Sequence, residues 1–568
     1  MKNNRGHLSF NLGRYESAVD ASLSSLREKG IMSRIWAHDH RVWKPHPDEI
    51  TNRLGWLHTA ERMKPELNRI EEFVRQVLDD GYTHALLLGM GGSSLAPEVL
   101  RKTFGVKEGY LDLDILDSTD PAAVASHTKW LNPEQTLFIV SSKSGTTQET
   151  LSFFNYFYNW VCDFVGKEKA GNHFIAITDP SSHLTEIAEG YRFREAFTND
   201  PAIGGRYSAL SHFGLVPAAL VGIDIARLLD SALAMSGNCE LCNSTAGGSN
   251  YGARLGATLG ELTNMGRDKV TFIISPRMES FGDWVEQLIA ESTGKEGKGI
   301  LPVVGETLSL PDYYGSDRVF VHISVKGDES NREKVKRLED AGHPVVRIPV
   351  RDLYDIGGQF FLWEMATAVA GHILKINPFD QPDVEAAKIL TRKAVGVYKE
   401  TGTLPEYTPK IKDGNIEVYG DFSTGQFDES FRNFMNYSRE GTYVAIQAYV
   451  QPAEEMDRAI KKLRMKIRDK YMTATTFGYG PRFLHSTGQL HKGDGGNGLF
   501  VQVTSEMAED IPIPDEAGEE KSSITFGILK NAQALGDWQA LTQAGRKVLR
   551  FHLKGHPVEG IQRLEKII

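Results

Sequence analysis

The sequence predicts an α/β protein built on two doubly wound parallel sheets, with a helical segment before them and a further α/β extension after them. Three observations carry this. From Thr83 onward, short β-branched or leucine-rich runs alternate with amphipathic stretches, the pattern of strands linked by crossover helices. The same alternation restarts after a Gly/Ser/Asn-rich stretch at 245–252. The chain has 568 residues, 40% of them apolar, and 55 glycines besides, so buried core for several units is not limiting.

Residues 1–80 are charged and helical in pattern, with Trp36, Trp43 and Trp56 as anchors and no visible chemistry. Residues 81–240 form the first predicted unit, with strands at HALLLG (84–89), LDLDILD (111–117), TLFIVSS (136–142) and HFIAITD (173–179). Each run ends in Gly, Ser, Asp or Pro and gives way to a helical period. Residues 241–400 form the second, with strands at 269–275, 299–304, 318–325 and 344–350. The polar stretch 401–426 reads as an inserted loop or a linker, and 510–523 as a surface loop. Within 401–568, TYVAIQAYV, TATTFGYG, LFVQVT and KVLRFHLK have strand character. They fit a third unit or an extension of the second sheet equally well.

Composition removes several function classes. Sixty-four Lys and Arg against 74 Asp and Glu leave a net charge of −10, which disfavours nucleic acid as the main partner. The opening MKNNRGHLSFNLG lacks a signal-peptide core, and no stretch approaches the ~18 apolar residues of a membrane span. The three cysteines, Cys162, Cys239 and Cys242, make no disulfide framework and fit a reducing, cytoplasmic compartment. Cys239 and Cys242 read as an incidental C-x-x-C, because a zinc ribbon needs a second pair. Neither metal nor cofactor is expected.

Five segments point to chemistry. LLLGMGGSSL runs a strand into Gly89, Gly91 and Gly92, then Ser93 and Ser94. Ser94 occupies the third-glycine place of a dinucleotide fingerprint, which disfavours an NAD-dependent dehydrogenase. TLFIVSSKSGTTQET sets Ser141, Ser142, Lys143, Ser144, Thr146, Thr147 and Thr150 after a buried strand, at a helix start. Hydroxyl donors, backbone N–H groups, a dipole end and a cation are what a phosphate needs. NDPAIGGRYSALS delivers Arg206 behind two glycines, suited to an oxyanion or a phosphate. GDWVEQLIAESTGK places Gln287 and Glu291 one turn apart on a buried helix, where Glu291 can serve as a base. KINPFDQPDVEAAK opens a capped helix carrying Lys388.

Together, GMGGSSLAPEVL, VSSKSGTTQET, GGRYSALS, AESTGK and NPFDQPDVEAAK occur in one order over about residues 85 to 390. They resemble the phosphoglucose isomerase family of the sugar-isomerase (SIS) superfamily. The tail segment FLHSTGQLHKGDGGNG looks like the isomerase half of transaldolase–phosphoglucose isomerase fusions. The 80-residue prelude is too short for a transaldolase barrel, which needs about 200 residues or more. The resemblance implies two SIS-type domains, a homodimer with the site between domains and across the subunit interface, and a sugar phosphate substrate. It implies interconversion of glucose 6-phosphate and fructose 6-phosphate through a cis-enediolate. By the same resemblance Ser142, Lys143, Ser144, Thr146 and Thr150 hold the phosphate, with Gly92 and Ser93 nearby. Arg206 stabilises the enediolate, Glu291 is the base with Gln287 beside it, and Lys388 lies near the ring oxygen. The ring-opening histidine has no matching text. His343 is closest in position among His322, His343 and His372, and His485 and His491 are alternatives in the tail. Rival readings are a non-catalytic SIS module that senses sugar phosphates and an isomerase that also accepts mannose 6-phosphate.

Overall fold

A computed structural model describes residues 7–240, 250–420, 422 and 425–568. Cys242, and the Gly/Ser/Asn-rich stretch as far as residue 249, lie outside the described residues, so the C-x-x-C reading is not addressed there.

The first sheet is wholly parallel, in the order Asp112–Leu116, His84–Gly89, Thr136–Ser141, Phe174–Thr178, Glu195–Thr198. Leu86–Leu88, Leu137–Val140 and Phe174–Ile177 are fully buried, as strands covered by helices on both faces must be. The chain leaves His84–Gly89 to one side and returns on the other, so the strand order reverses between His84–Gly89 and Thr136–Ser141. Open α/β sheets bind ligands at such a point, beyond the carboxyl ends of the strands. The register pairs Gly89 with Ser141, which sets the glycine turn beside the hydroxyl-rich loop. The fifth strand, Glu195–Thr198, is an addition to the predicted set; it is four residues long and opens on a charge.

The second sheet runs Ser9–Asn11, Val345–Val350, Arg318–Val325, Lys269–Ile274, Leu301–Val303. Only Ser9–Asn11 is antiparallel. The N-terminal segment is thus tied into the second unit rather than standing apart. Trp43 donates to the Ala368 carbonyl at 2.8 Å, and Trp36 to that of Cys239 at 3.2 Å. At the centre, helix Ile356–Leu374 is buried at every residue except His372 and Ile373. Helix Tyr251–Asn264 approaches it so closely that a Cβ on Gly256 would lie 2.5 Å from the Ala366 carbonyl oxygen.

The tail is a third, separate sheet: Ile411–Asp413, Ile416–Gly420, Lys547–Leu553, Gly498–Ser505, Tyr443–Tyr449, Ala474–Tyr479. The last four are mutually parallel. The first two form an antiparallel hairpin inside the stretch that reads as a loop or linker. Its signal is the Gly414–Asn415 pair between two short runs, with Gly414 at φ +56°. The segment that reads as a surface loop also pairs, Pro512–Ile513 against Ile524–Thr525. Ile513, Ala517, Phe526 and Leu529 are buried in the same apolar cluster as Phe138, Phe153 and Phe157 of the first unit. The third unit therefore covers one face of the first sheet. Among the described residues, no helix is long and apolar enough to cross a membrane.

Candidate active site

Strand Thr136–Ser141 ends at the switch point, and residues 142–147 turn into helix Gln148–Val165. The turn is held by its own hydroxyls. Ser142 Oγ accepts from the Gly145 N–H (3.2 Å) and bonds Thr147 Oγ1 (3.1 Å). Ser144 Oγ accepts from the Thr146 N–H (3.3 Å) and lies 3.0 Å from Thr146 Oγ1. Gly145 has φ +70°, and a Cβ there would stand 2.3 Å from the Leu184 nitrogen, so the position admits only glycine. Thr147, at the N-cap, makes no side-chain capping bond, which leaves the first helical N–H groups to a ligand.

This loop opens on a cavity of about 290 Å³. Ser144, Thr146, Thr147 and Glu149 line one wall, Lys388 and Thr391 a second, and Leu484, His485 and Gln533 a third. Lys388 projects from helix Val384–Thr401 with its side chain half exposed; its nearest carboxylate, on Glu385, is 3.9 Å away. Glu149 is buried, and its Oε1 accepts from His485 Nε2 (2.9 Å) and Gln533 Nε2 (2.7 Å). Burial works against the Glu149 carboxylate, but the His485 charge and hydrogen bond outweigh it and hold its pKa below the ordinary value. A carboxylate only accepts, so Nε2 of His485 carries a proton.

Behind the cavity lies a second cluster, reached through Gln287. Its Nε2 donates to the His485 carbonyl (2.7 Å) and to Glu291 Oε2 (3.1 Å). Both side chains come from helix Phe281–Thr293, whose remaining faces are buried apart from Asp283 and Glu286. Arg206 is 2% exposed. Its guanidinium donates to Glu291 Oε1 (2.9 Å), Ser292 Oγ (2.8 Å), Gln381 Oε1 (3.0 Å) and the carbonyls of Pro378 (2.9 Å) and Asp380 (3.0 Å). Lys295, 1% exposed, pairs with Asp380 Oδ1 at 2.7 Å. Burial, then the Arg206 charge, push its pKa down to about 8 against the pull of Asp380 and Glu291. The glycine turn makes this junction possible. A Cβ on Gly92 would lie 2.2 Å from the Gly205 carbonyl oxygen, and one on Gly91 would lie 2.7 Å from that of His485.

The structure thus gathers Ser144, Thr146, Lys388 and His485 around one cavity; Gln287, Glu291 and Arg206 do not line it and are joined to it through the Gln287 bond to the His485 carbonyl. Ser142 and Thr150 are buried beneath the loop. Gly92 and Ser93 pack at the turn, where the Ser93 carbonyl accepts from Ser141 Oγ (3.1 Å). Three expectations are corrected. Lys143 turns its ammonium away from the cavity, onto the Asp179 carboxylate and the Pro201 carbonyl (3.2 Å). His343 packs edge-on against Tyr314 and Phe320 beside the second sheet. His491 is buried between Phe483 and Phe500, its Nδ1 3.3 Å from Gln447 Nε2, and burial pushes its pKa well down. Sequence reading passes over Glu149, Lys295 and Gln381, each sitting inside a motif already singled out, and Gln533, which no motif marks. A larger groove of about 730 Å³ opens at the amino ends of the second and third sheets, between Asp268 and Asp494, and holds none of these residues.

The model of the family described as phosphoglucose isomerase matches residues 60–299. The chain is 29% identical to a glucose-6-phosphate isomerase of Rubrobacter xylanophilus over 387 residues, which takes in 59% of this chain and 88% of the relative. It is also 29% identical to one of Lactobacillus helveticus over 399 residues, 61% of this chain and 87% of the relative. Among solved structures, a glucose-6-phosphate isomerase of Chlamydia trachomatis superposes with a TM-score of 0.59 at 18% identity, covering 69% of this chain and 89% of that one. A hypothetical protein of Thermus thermophilus does so with a TM-score of 0.59 at 24% identity, covering 68% and 99%. These two likenesses bear on the fold; the family match over residues 60–299 and the curated relatives make the chain similar to phosphoglucose isomerases over that part of its length.

Proposed function

We propose that this protein interconverts glucose 6-phosphate and fructose 6-phosphate by proton transfer through a cis-enediolate, without metal or redox cofactor. One observation carries the reading. The hydroxyl-rich loop at a free helix start opens on the same cavity as Lys388 and the Glu149–His485 pair, with Glu291 and Arg206 joined to it through Gln287.

The phosphate sits on Ser144, Thr146 and the first N–H groups of helix Gln148–Val165, and this remote grip positions the sugar. Ring opening needs one proton delivered to the ring oxygen and one removed from the C1 hydroxyl. This reading gives the two transfers to His485 and Lys388 on the cavity wall, and Glu149 orients the imidazole. Glu291 then removes the C2 proton of the open aldose. The Arg206 guanidinium, its N–H groups held by protein acceptors, stabilises the charge on the C1 and C2 oxygens through its field. The C2 hydroxyl proton passes to the C1 oxygen as Glu291 returns its proton to C1, which gives the ketose and restores the carboxylate. The net charge of −10 weighs against nucleic acid as the main partner. The free thiols of Cys162 and Cys239 support a cytoplasmic setting. A homodimer completes the proposal.

The test is to incubate the protein with fructose 6-phosphate in deuterated water and follow the products by NMR. Glucose 6-phosphate deuterated at C2 is the expected product, and Glu291→Gln abolishes the exchange while sugar-phosphate binding persists. Binding without turnover in the wild type would turn the reading toward a sensor module.

A further inference from the structure

The third wall of the cavity belongs neither to the first sheet nor to the second. Leu484 and His485 lie on the turn Arg482–His485, which follows strand Ala474–Tyr479, and Gln533 lies on helix Phe526–Gln543. All three stand outside residues 60–299, the part that matches the family model. They come from a unit that carries its own sheet and its own apolar core.

That unit is fastened to the first by buried charge as well as apolar surface. Arg482 Nε is 2.7 Å from Asp117 Oδ2, just past strand Asp112–Leu116, and the carboxylates of Asp283 and Glu98 add to the field around it. Lys530 Nζ meets Asp120 Oδ2 at 2.9 Å, with both side chains almost wholly buried. Thr119 Oγ1 donates to Gln533 Oε1 at 2.8 Å, and Gln533 in turn donates to Glu149. On the second unit, Gln489 donates to the Gly294 carbonyl (2.9 Å) and accepts from the Asp383 N–H (2.8 Å). The turn that carries His485 is therefore pinned at both ends. Arg482 is held at Asp117, the His485 imidazole at Glu149, and the His485 carbonyl at Gln287.

We propose that the C-terminal unit completes the active site from within the same chain, with Arg482 as the positioning residue of the His485 turn, so that each chain carries a whole site and needs no residue from a partner subunit. This rests on the isomerase reading above. Dimerisation, where it occurs, brings together two sites that are already complete.

The experiment compares chains carrying separate lesions. Glu291→Gln and His485→Ala are co-expressed with different tags, and the mixed assembly is isolated on both. If sites are built within one chain, every site carries one lesion, and glucose 6-phosphate turnover stays at least about 100-fold below wild type, the usual worth of one acid–base group. If the histidine crosses between subunits, one site of each pair is intact, and about half the wild-type turnover returns; that overturns the proposal. Should no mixed assembly form, wild-type turnover per chain is measured down a dilution series alongside sedimentation. Full turnover by the monomer supports the proposal, and turnover confined to a dimer overturns it. His485→Ala that is as active as wild type on the ring-closed substrate defeats both the proposal and the ring-opening role given to His485. Retained deuterium exchange into a tetrose 4-phosphate, which cannot close a ring, separates a ring-opening defect from a collapsed site. Arg482→Gln should lower kcat for glucose 6-phosphate about tenfold or more with KM near wild type and tetrose exchange intact, and Arg482→Lys should recover part of the loss. A parallel fall in tetrose exchange would make Arg482 merely structural.

Discussion

Lys295 has almost no contact with solvent, yet its ammonium shares a pocket with the Arg206 guanidinium. Asp380 is what makes two neighbouring cations tolerable, and Asp380 also offers its carbonyl to Arg206. With a pKa near 8 the lysine loses its charge in the mildly alkaline range, and the 378–381 segment that seats Arg206 loses its cation. The alkaline limb of kcat/KM should therefore fall near pH 8. Lys295→Arg, which stays charged, should move that limb upward by at least about one pH unit. The sign for stability is opposite. The folded pKa lies below the unfolded one, so between about pH 8 and pH 10.5 the unfolded chain binds the extra proton, and this group favours the fold more as pH rises. A pH–rate profile run beside thermal melts separates the two. An alkaline limb that is identical in Lys295→Arg would remove the lysine from this role.

At the scale of the element, the glycine turn after strand His84–Gly89 does its work by contact rather than by binding. The Cβ of an alanine at 92 would stand 2.2 Å from a backbone oxygen of the turn that carries Arg206, and no side chain can swing aside to make room. One of the two turns must shift. A displacement of about 1 Å at a catalytic group costs on the order of 100-fold in rate, so Gly92→Ala should lose that order of kcat while phosphate-loop binding of inorganic phosphate is kept. Unchanged kcat would mean that the junction is softer than its geometry implies. The same element shows what was legible in the sequence. The strands stand out because their runs are apolar on both faces and end in glycine or serine, and the hydroxyl loop stands out because six hydroxyls in ten residues exceed what a cap needs. The direction of Lys143 was not legible: its partner Asp179 lies on the next strand's exit, and local text does not say which way a loop side chain turns. Nor did His485 differ from His491 on sequence. They sit six residues apart in one motif, and only the docking of the third unit on the first sends one into the cavity and the other into an apolar core.

At the scale of the molecule, that docking couples units whose sequences look independent. The first sheet's outer helix packs against Ile513, Phe526 and Leu529, so opening the third unit would bare an apolar face of the first. The Lys530–Asp120 pair lies at this seam, and Asp120 also caps helix Pro121–Trp130 by accepting from the Ala122 N–H at 3.0 Å. Lys530→Met leaves that carboxylate buried without its cation, a loss of about 3–5 kcal/mol when a buried pair is broken from one side. If the units open together, native-state hydrogen exchange should show strand Thr136–Ser141 and strand Lys547–Leu553 losing protection by the same factor, on the order of 100- to 1,000-fold. If they open separately, one strand keeps its wild-type protection while the other loses it, and the third unit is then an attachment rather than a wall. Equal loss is the outcome that the shared core requires. The hydroxyl-rich loop comes from the first unit and helix Phe281–Thr293 from the second, but the cavity is closed only when the third is folded against both.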